Sequence, residues 1–317
     1  MATREAAGPP ARRPWWRLLA MAVALYLAFS VAGGVTLAEL QVHLHRRPVP
    51  ATPPNLQDVE IHTADGLTLR GWFGRPEHGN GRAVILLHGI TDNRAAMVGY
   101  GQFFMDHGYS VLLPDARAHG SSDGVIASYG LKEAGDVHLW TDWLFARESP
   151  ACLYGLGESL GAGILLQSLA VEKRFCAVIA ESPFADARSA IFDRVAYFVK
   201  MPVWMSRTVF RLPIEICWIY AQWRYGLRFD SVSPRRAVAQ SRTPVLLISD
   251  TDDVNLRPHN SREILAARPA LSQLWEVPGA GHTGARKAAP AEFDRRVLDY
   301  FGSSPAAPAA GGAIVPM

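Results

Sequence analysis

"YGLGESLGAG", residues 154–163, sets one serine among four glycines. The apolar run "ACLYGLG" leads into it, and "LGAGILLQSLA" continues from it with helical character. The spacing predicts a strand, a sharp turn and a helix, with Ser159 on the turn. In a G-x-S-x-G turn, side chains two positions before and two after the serine would collide with neighbouring backbone, so glycine serves at both. The strained serine is thereby lifted clear of the sheet. The helix that starts beside it aims its first amides at the same point, where they favour developing negative charge. Without its flanks, the five-residue pattern fits a glycine-rich turn with no chemistry equally well.

Outward from that turn, apolar runs alternate with amphipathic stretches. "DVEIHTADGLTLRGWF" (58–73) reads as a hairpin turning at Asp65-Gly66. Strands are expected at 83–88, 109–115, 175–183, 243–250 and 271–279, and helices at about 94–107, 131–147 and 290–301. Such alternation predicts an α/β fold whose sheet is mostly parallel and covered by helices on both faces. Residues 186–240 break the rhythm and are too long for a simple connection. Their middle is rich in aromatic residues, and "PIEICWIYAQWRYG" (213–226) has proline at its start and glycine at its end. Ile216, Ile219, Tyr220, Trp223 and Leu227 share one face of that helix. This segment reads as an inserted helical cap, with the aromatic residues either lining a substrate pocket or packing on the sheet.

Composition narrows the class. Of 317 residues 49% are hydrophobic, enough for a substantial core, and the net charge of +3 comes without a long basic run, so nucleic acid is not an expected partner. Cys152, Cys176 and Cys217 form no C-x-x-C pair and fit neither a disulfide scaffold nor a zinc ribbon, so they read as buried apolar residues. Neither H-E-x-x-H nor a Walker loop occurs, and no metal, nucleotide or other cofactor is expected.

"LLAMAVALYLAFSVAGGVTLA" (18–38) runs 21 residues without a charge. A helix of that length spans the ~30 Å hydrocarbon layer at ~1.5 Å per residue. Trp15 and Trp16 stand at its entrance, where amphipathic rings favour the membrane interface. A cleaved signal peptide is the rival, with Thr36-Leu37-Ala38 as a small-residue cleavage site. A buried core helix is a third reading, for which the sequence offers no obvious partner. Arg4, Arg12, Arg13 and Arg17 precede the segment and Arg46 and Arg47 follow it, which favours a cytoplasmic N-terminus and an extracytoplasmic domain, periplasmic or extracellular. The expected organisation is a basic N-terminus (1–17), a transmembrane anchor (18–38), a proline-rich linker (39–55), a catalytic domain (56–302, cap about 186–240) and a disordered tail (303–317).

A serine hydroxyl is a weak nucleophile and needs a base, itself oriented by an acid. The glycine-framed Ser159 turn resembles that of the α/β-hydrolases, and that resemblance implies the chain order serine, acid, histidine. Of the ten histidines only His259 and His282 follow Ser159. His259 opens an expected helix and reads as a surface residue, whereas "VPGAGHTG" sets His282 in a tight turn after the last strand. The acid is expected just past "TPVLLISD", where Asp250, Asp252 and Asp253 stand, with Glu181 as a more distant candidate.

These residues resemble the α/β-hydrolase superfamily, in particular its serine-aminopeptidase-like, Bem46-like membrane-associated branch, over about residues 56–302. That branch follows a short strand with glycine-x-x-aspartate; here Asp250 occupies the glycine position, and the resemblance maps the acid to Asp253, with Asp252 as the alternative. "LLHGITDNR" (86–94) is similar to the family's oxyanion-loop segment, which implies that the amides of Ile90 and Leu160 form the oxyanion hole, with His88 holding the loop. "LLPDARAHGSSDG" (112–124) resembles a family stretch in which Asp115, Arg117 and His119 are structural.

The function expected is a membrane-anchored serine hydrolase that cleaves carboxylic esters, thioesters or amides by an acyl-enzyme, with a small or lipid-like acyl substrate. Catalytic Ser159, Asp253 and His282 carry it. Two other outcomes stay open: a catalytically silent binding module on the same fold, and an acyltransferase using the same three residues.

Overall fold

The computed structural model describes residues 15–304. Nearly all of the expected basic N-terminus and of the low-complexity tail lies outside the described residues. One sheet holds β1 (Gln57–His62), β2 (Thr68–Gly74), β3 (Arg82–Leu87), β4 (Tyr109–Pro114), β5 (Cys152–Glu158), β6 (Phe175–Glu181), β7 (Val245–Asp250) and β8 (Ser272–Val277). Their spatial order is β1-β2-β4-β3-β5-β6-β7-β8. The β1–β2 hairpin and the β2–β4 pair are antiparallel, and every pair from β4 to β8 is parallel. Central strands β3 to β7 are almost wholly buried because helices cover both faces. That burial explains their unbroken apolar sequences.

The helices in chain order are α1 (Trp15–Val42), α2 (Val98–Asp106), α3 (Glu133–Glu148), α4 (Leu160–Ser168), α5 (Ala187–Val199), α6 (Val203–Val209), α7 (Arg211–Tyr225), α8 (Pro234–Gln240), α9 (His259–Ala267), α10 (Ala285–Ala288) and α11 (Pro290–Ser303). Phe103 and Phe104 of α2 and Phe293 and Phe301 of α11 join one core. Leu144, Leu165, Val238 and Ile264, from α3, α4, α8 and α9, join the core on the opposite face. The fold is therefore an α/β-hydrolase fold, and α5 to α7 form the inserted cap between β6 and β7.

Two expectations are corrected. Cys152 and Cys176 are not simply buried apolar residues: they are disulfide-bonded, with Cα atoms 5.8 Å apart. They lie 24 positions apart in the chain but near the starts of adjacent parallel strands β5 and β6, a neighbourhood that only the strand order creates. Cys217 is free and buried.

The N-terminal helix also has a partner. It is long and apolar enough to cross a membrane, and most of it is exposed. Yet it continues past the charge-free stretch to Val42, and Ser30, Gly34, Ala38 and Val42, four apart, are buried along it. This small-residue stripe lets the backbone approach α7 closely. A Cβ at Gly34 would sit 2.6 Å from the Pro213 carbonyl oxygen and 2.8 Å from Ile216 Cβ. The hydroxyls of Tyr220 and Tyr225 donate to the Glu39 carboxylate at 2.6 and 2.7 Å. The face of α7 that carries Ile216, Ile219, Tyr220 and Trp223 is thus divided. Pro213, Ile216 and Tyr220 meet α1, Ile219 and Trp223 are exposed, and Ile214, Cys217, Trp218 and Ala221 join the domain core.

Candidate active site

Ser159 is the residue between β5 and α4, with φ 52° and ψ −112°. A non-glycine residue there is strained by about 1–3 kcal/mol, and the surrounding structure holds it. Its amide donates to the Glu181 carbonyl at 2.9 Å and its carbonyl accepts from Gly163 at 3.0 Å, so both backbone groups are tied down. The flanking glycines are needed for close approach. A Cβ at Gly161 would lie 2.2 Å from the Leu87 carbonyl oxygen, and one at Gly157 would lie 2.6 Å from the Gly161 carbonyl carbon.

His282 arrives from the turn after β8. Its Nε2 lies 2.9 Å from Ser159 Oγ, and its Nδ1 lies 2.6 Å from Asp253 Oδ2. Asp253 is buried, and its Oδ1 accepts from the amides of Asn255 and Leu256 at 2.8 and 2.9 Å. The geometry thus sorts the candidate acids. Asp252 is exposed with Oδ1 3.1 Å from Thr251 Oγ1. Glu181 is buried and accepts from the Ala285 amide at 2.9 Å. Asp250 Oδ2 accepts from the Gly284 amide at 3.3 Å. Those two carboxyls therefore pin the turn that carries His282. His259 stands at the start of α9, 3.4 Å from Asp193, and takes no part.

A residue outside the expected set joins the site. Ser182, just past β6 with φ 46°, places its Oγ 2.8 Å from Asp250 Oδ2 and 2.9 Å from Asp253 Oδ2. Its only signal in sequence is its place at the C-terminal end of a parallel strand, where α/β folds gather functional groups. Burial raises the pKa of Glu158, Glu181 and Asp250, most strongly Glu181, which the neighbouring carboxylates Glu158 and Asp250 push further. The Tyr100 hydroxyl donates to Glu158 at 2.6 Å.

The Ile90 and Leu160 residues line the same cavity as Ser159. Leu160 is the first residue of α4, where helix geometry leaves the amide without an intrahelical partner. Behind Ile90, the loop is braced. His88 Nδ1 meets the Gly89 carbonyl at 2.8 Å, and the Ala116 amide donates to His88 Nε2 at 3.2 Å, a pattern that requires the neutral ring. Burial lowers the His88 pKa and pushes His119 down to about 4. Asp115 accepts from the amides of Arg94 and Ser121, and Arg117 forks onto Asp136 at 2.7 and 2.6 Å. The cavity over Ser159 is narrow, about 60 Å³, and is walled by Leu160, Phe184, Ile191, Trp218, Phe229 and Leu256. Among the described residues, no group of three His, Cys, Asp or Glu side chains is placed to hold a metal ion.

Such an arrangement can pass a hydroxyl proton to an imidazole and present a nucleophilic oxygen to an apolar carbonyl compound. The chain is similar in sequence and in fold to several known proteins. It is 32% identical over 228 residues to the protein YqkD of Bacillus subtilis (strain 168), covering 70% of this chain and 71% of that one. It is 35% identical over 161 residues to the polyketide transferase ATR5 of Stachybotrys chlorohalonatus, covering 49% and 53%. Among solved structures, the Pyrococcus furiosus esterase Pf2001 superposes with a TM-score of 0.67 at 26% identity, over 83% of this chain and 99% of that one. The model of the alpha/beta hydrolase family matches residues 84–296, and the chain belongs to that family.

Proposed function

We propose that this protein is a serine hydrolase held to a membrane by α1, cleaving carboxylic ester, thioester or amide bonds. One observation carries the proposal: Ser159 Oγ, both imidazole nitrogens of His282 and the buried Asp253 carboxylate stand in one hydrogen-bonded line. In the first step Ser159 Oγ attacks the acyl carbon while its proton passes to His282 Nε2. Asp253 holds the ring by accepting from Nδ1 and stabilises the imidazolium. The amides of Ile90 and Leu160 receive the negative oxygen, each worth about 3 kcal/mol in comparable sites. His282 then gives its proton to the departing oxygen, sulfur or nitrogen. Water attacks the Ser159 ester in the second half, losing its proton to His282, and the acid product leaves with Ser159 restored.

A fluorophosphonate probe tests this. The wild-type chain should label at Ser159 and the Ser159→Ala chain should not; absence of labelling in the wild type would favour a silent binding module. Acyl transfer is the second reading, favoured by the similarity to a polyketide transferase. An alcohol would then take the place of water, and product analysis with competing alcohols separates the two.

Membrane attachment is supported by the exposed apolar length of α1. The arginine balance around it and the Cys152–Cys176 bond favour a domain on the oxidising, extracytoplasmic side. A C-terminal reporter active only in the cytoplasm should stay silent.

A further inference from the structure

We infer that the acyl chain of a membrane lipid reaches Ser159 sideways, through a groove between α1 and the cap, so that α1 forms part of the substrate site. The inference rests on the serine-hydrolase proposal and names its substrate class. The cavity over Ser159 includes Gln41 of α1 in its wall. A second, larger apolar cleft runs along α1, with Phe29, Gly33 and Leu37 on one side and Val195, Phe198 and Phe210 of the cap on the other. Gln41, Ile90, Tyr129 and Arg194 line both spaces, so the cleft and the cavity meet across these four residues alone. At that junction the Tyr129 hydroxyl donates to Gln41 Oε1 at 2.6 Å and Arg194 contributes the one charged side chain, so an acyl chain would pass between these groups. From Phe29 to Gln41 the helix rises about 18 Å, at ~1.5 Å per residue, the length of a stretched long-chain acyl group.

The depth of the cleft indicates its occupant. The Tyr26 hydroxyl donates to the Val209 carbonyl at 3.1 Å, and the Phe29 ring meets Phe210 edge-on at 5.9 Å. Residues 26 and 29 lie inside the charge-free stretch, so the end of the cap sits at the level of hydrocarbon if α1 spans a bilayer. The cap surface matches: Phe198 and Val199 are exposed at the cleft beside α1, and Trp204, Met205 and Trp223 are exposed elsewhere on the cap helices. Exposed apolar side chains of this size, two of them tryptophan, suit the face of a bilayer. The mouth of the groove therefore opens to lipid rather than to water. Because Gly34 and Glu39 lock α1 to α7, the groove has two fixed walls.

The test compares fluorogenic butyrate and palmitate esters with the full chain in phosphatidylcholine vesicles. Gly33 lines the cleft and a Cβ there meets nothing within 4 Å, so Gly33→Phe directs its ring into the groove. The palmitate-to-butyrate ratio of kcat/KM should fall at least about tenfold in Gly33→Phe, as expected when methylene contacts are lost. Leu25→Phe, on the exposed side of α1, should keep the wild-type ratio. A phosphatidylcholine carrying a diazirine at the end of its acyl tail should crosslink to α1 and α5 in the Ser159→Ala chain, and Gly33→Phe should suppress it. An unchanged ratio, or crosslinking indifferent to Gly33→Phe, overturns the inference while the serine-hydrolase proposal stands. Failure of the wild type to label with fluorophosphonate and to turn over either ester removes both.

Discussion

The Ser182 hydroxyl lies 2.9 Å from Asp253 Oδ2, the same oxygen that meets His282 Nδ1 at 2.6 Å. Ser182 has one proton and two carboxyl neighbours, since Asp250 Oδ2 is 2.8 Å away. Burial raises the Asp250 pKa, and we propose that a protonated Asp250 donates to Ser182 and leaves the Ser182 proton for Asp253. Asp250→Asn, whose amide donates as the protonated carboxyl does, should keep kcat within a few-fold. Ser182→Ala should lower kcat roughly tenfold with KM little changed, as expected for losing a hydrogen bond to a charged group. Equal losses in the two variants would contradict the proposed proton arrangement.

Asp253 and Asp252 make a sharper pair. Asp253→Asn should lower kcat by about 10⁴-fold, because the amide favours the wrong imidazole tautomer. The exposed Asp252→Asn should stay within about twofold. Steady-state ester hydrolysis decides, and the opposite ranking would move the acid one residue.

Glu181 gives a pH signature. Its folded pKa is raised well above the ordinary value by burial, with Glu158 and Asp250 adding. The unfolded chain ionises it at about pH 4.3, so the native form is favoured below that value and loses this advantage as pH rises towards the folded pKa. Glu181→Gln removes the titration but keeps an oxygen for the Ala285 amide. Its Tm relative to wild type should therefore rise from about pH 4 to about pH 8. A constant difference would mean that Glu181 titrates alike in both states.

The disulfide closes a loop of 24 residues between two central strands. Replacing both cysteines by alanine should lower stability by about 3 kcal/mol, read from denaturant midpoints. A midpoint equal to that of the wild type would show that sheet packing alone holds β5 against β6.

The fold was legible because buried parallel strands leave short, fully apolar runs, and the cap because it interrupts them with aromatic residues at excessive length. The turn at Ser159 was legible because its glycines answer to backbone approach, which sequence records directly. The acid was not settled by the residues alone: three aspartates crowd one loop, and which of them turns inward depends on amides such as Asn255 and Leu256 that no spacing announces. Ser182 and the Cys152–Cys176 bond were hidden for a related reason, since each joins strands brought together only by the order of the sheet. The partner of α1 was missed because Ser30, Gly34, Ala38 and Val42 read as ordinary apolar filler within a hydrophobic run.

The seam between α1 and α7 makes the N-terminal segment a keyed part rather than a leash. One inserted residue ahead of Gly34 would swing the upstream helix by about 100° relative to its small-residue seat. If α1 is the membrane span proposed above, a foreign span of equal greasiness would carry the domain to a bilayer yet leave it at the wrong height and heading. Chimeras that preserve only hydrophobic length should thus localise correctly and still work poorly.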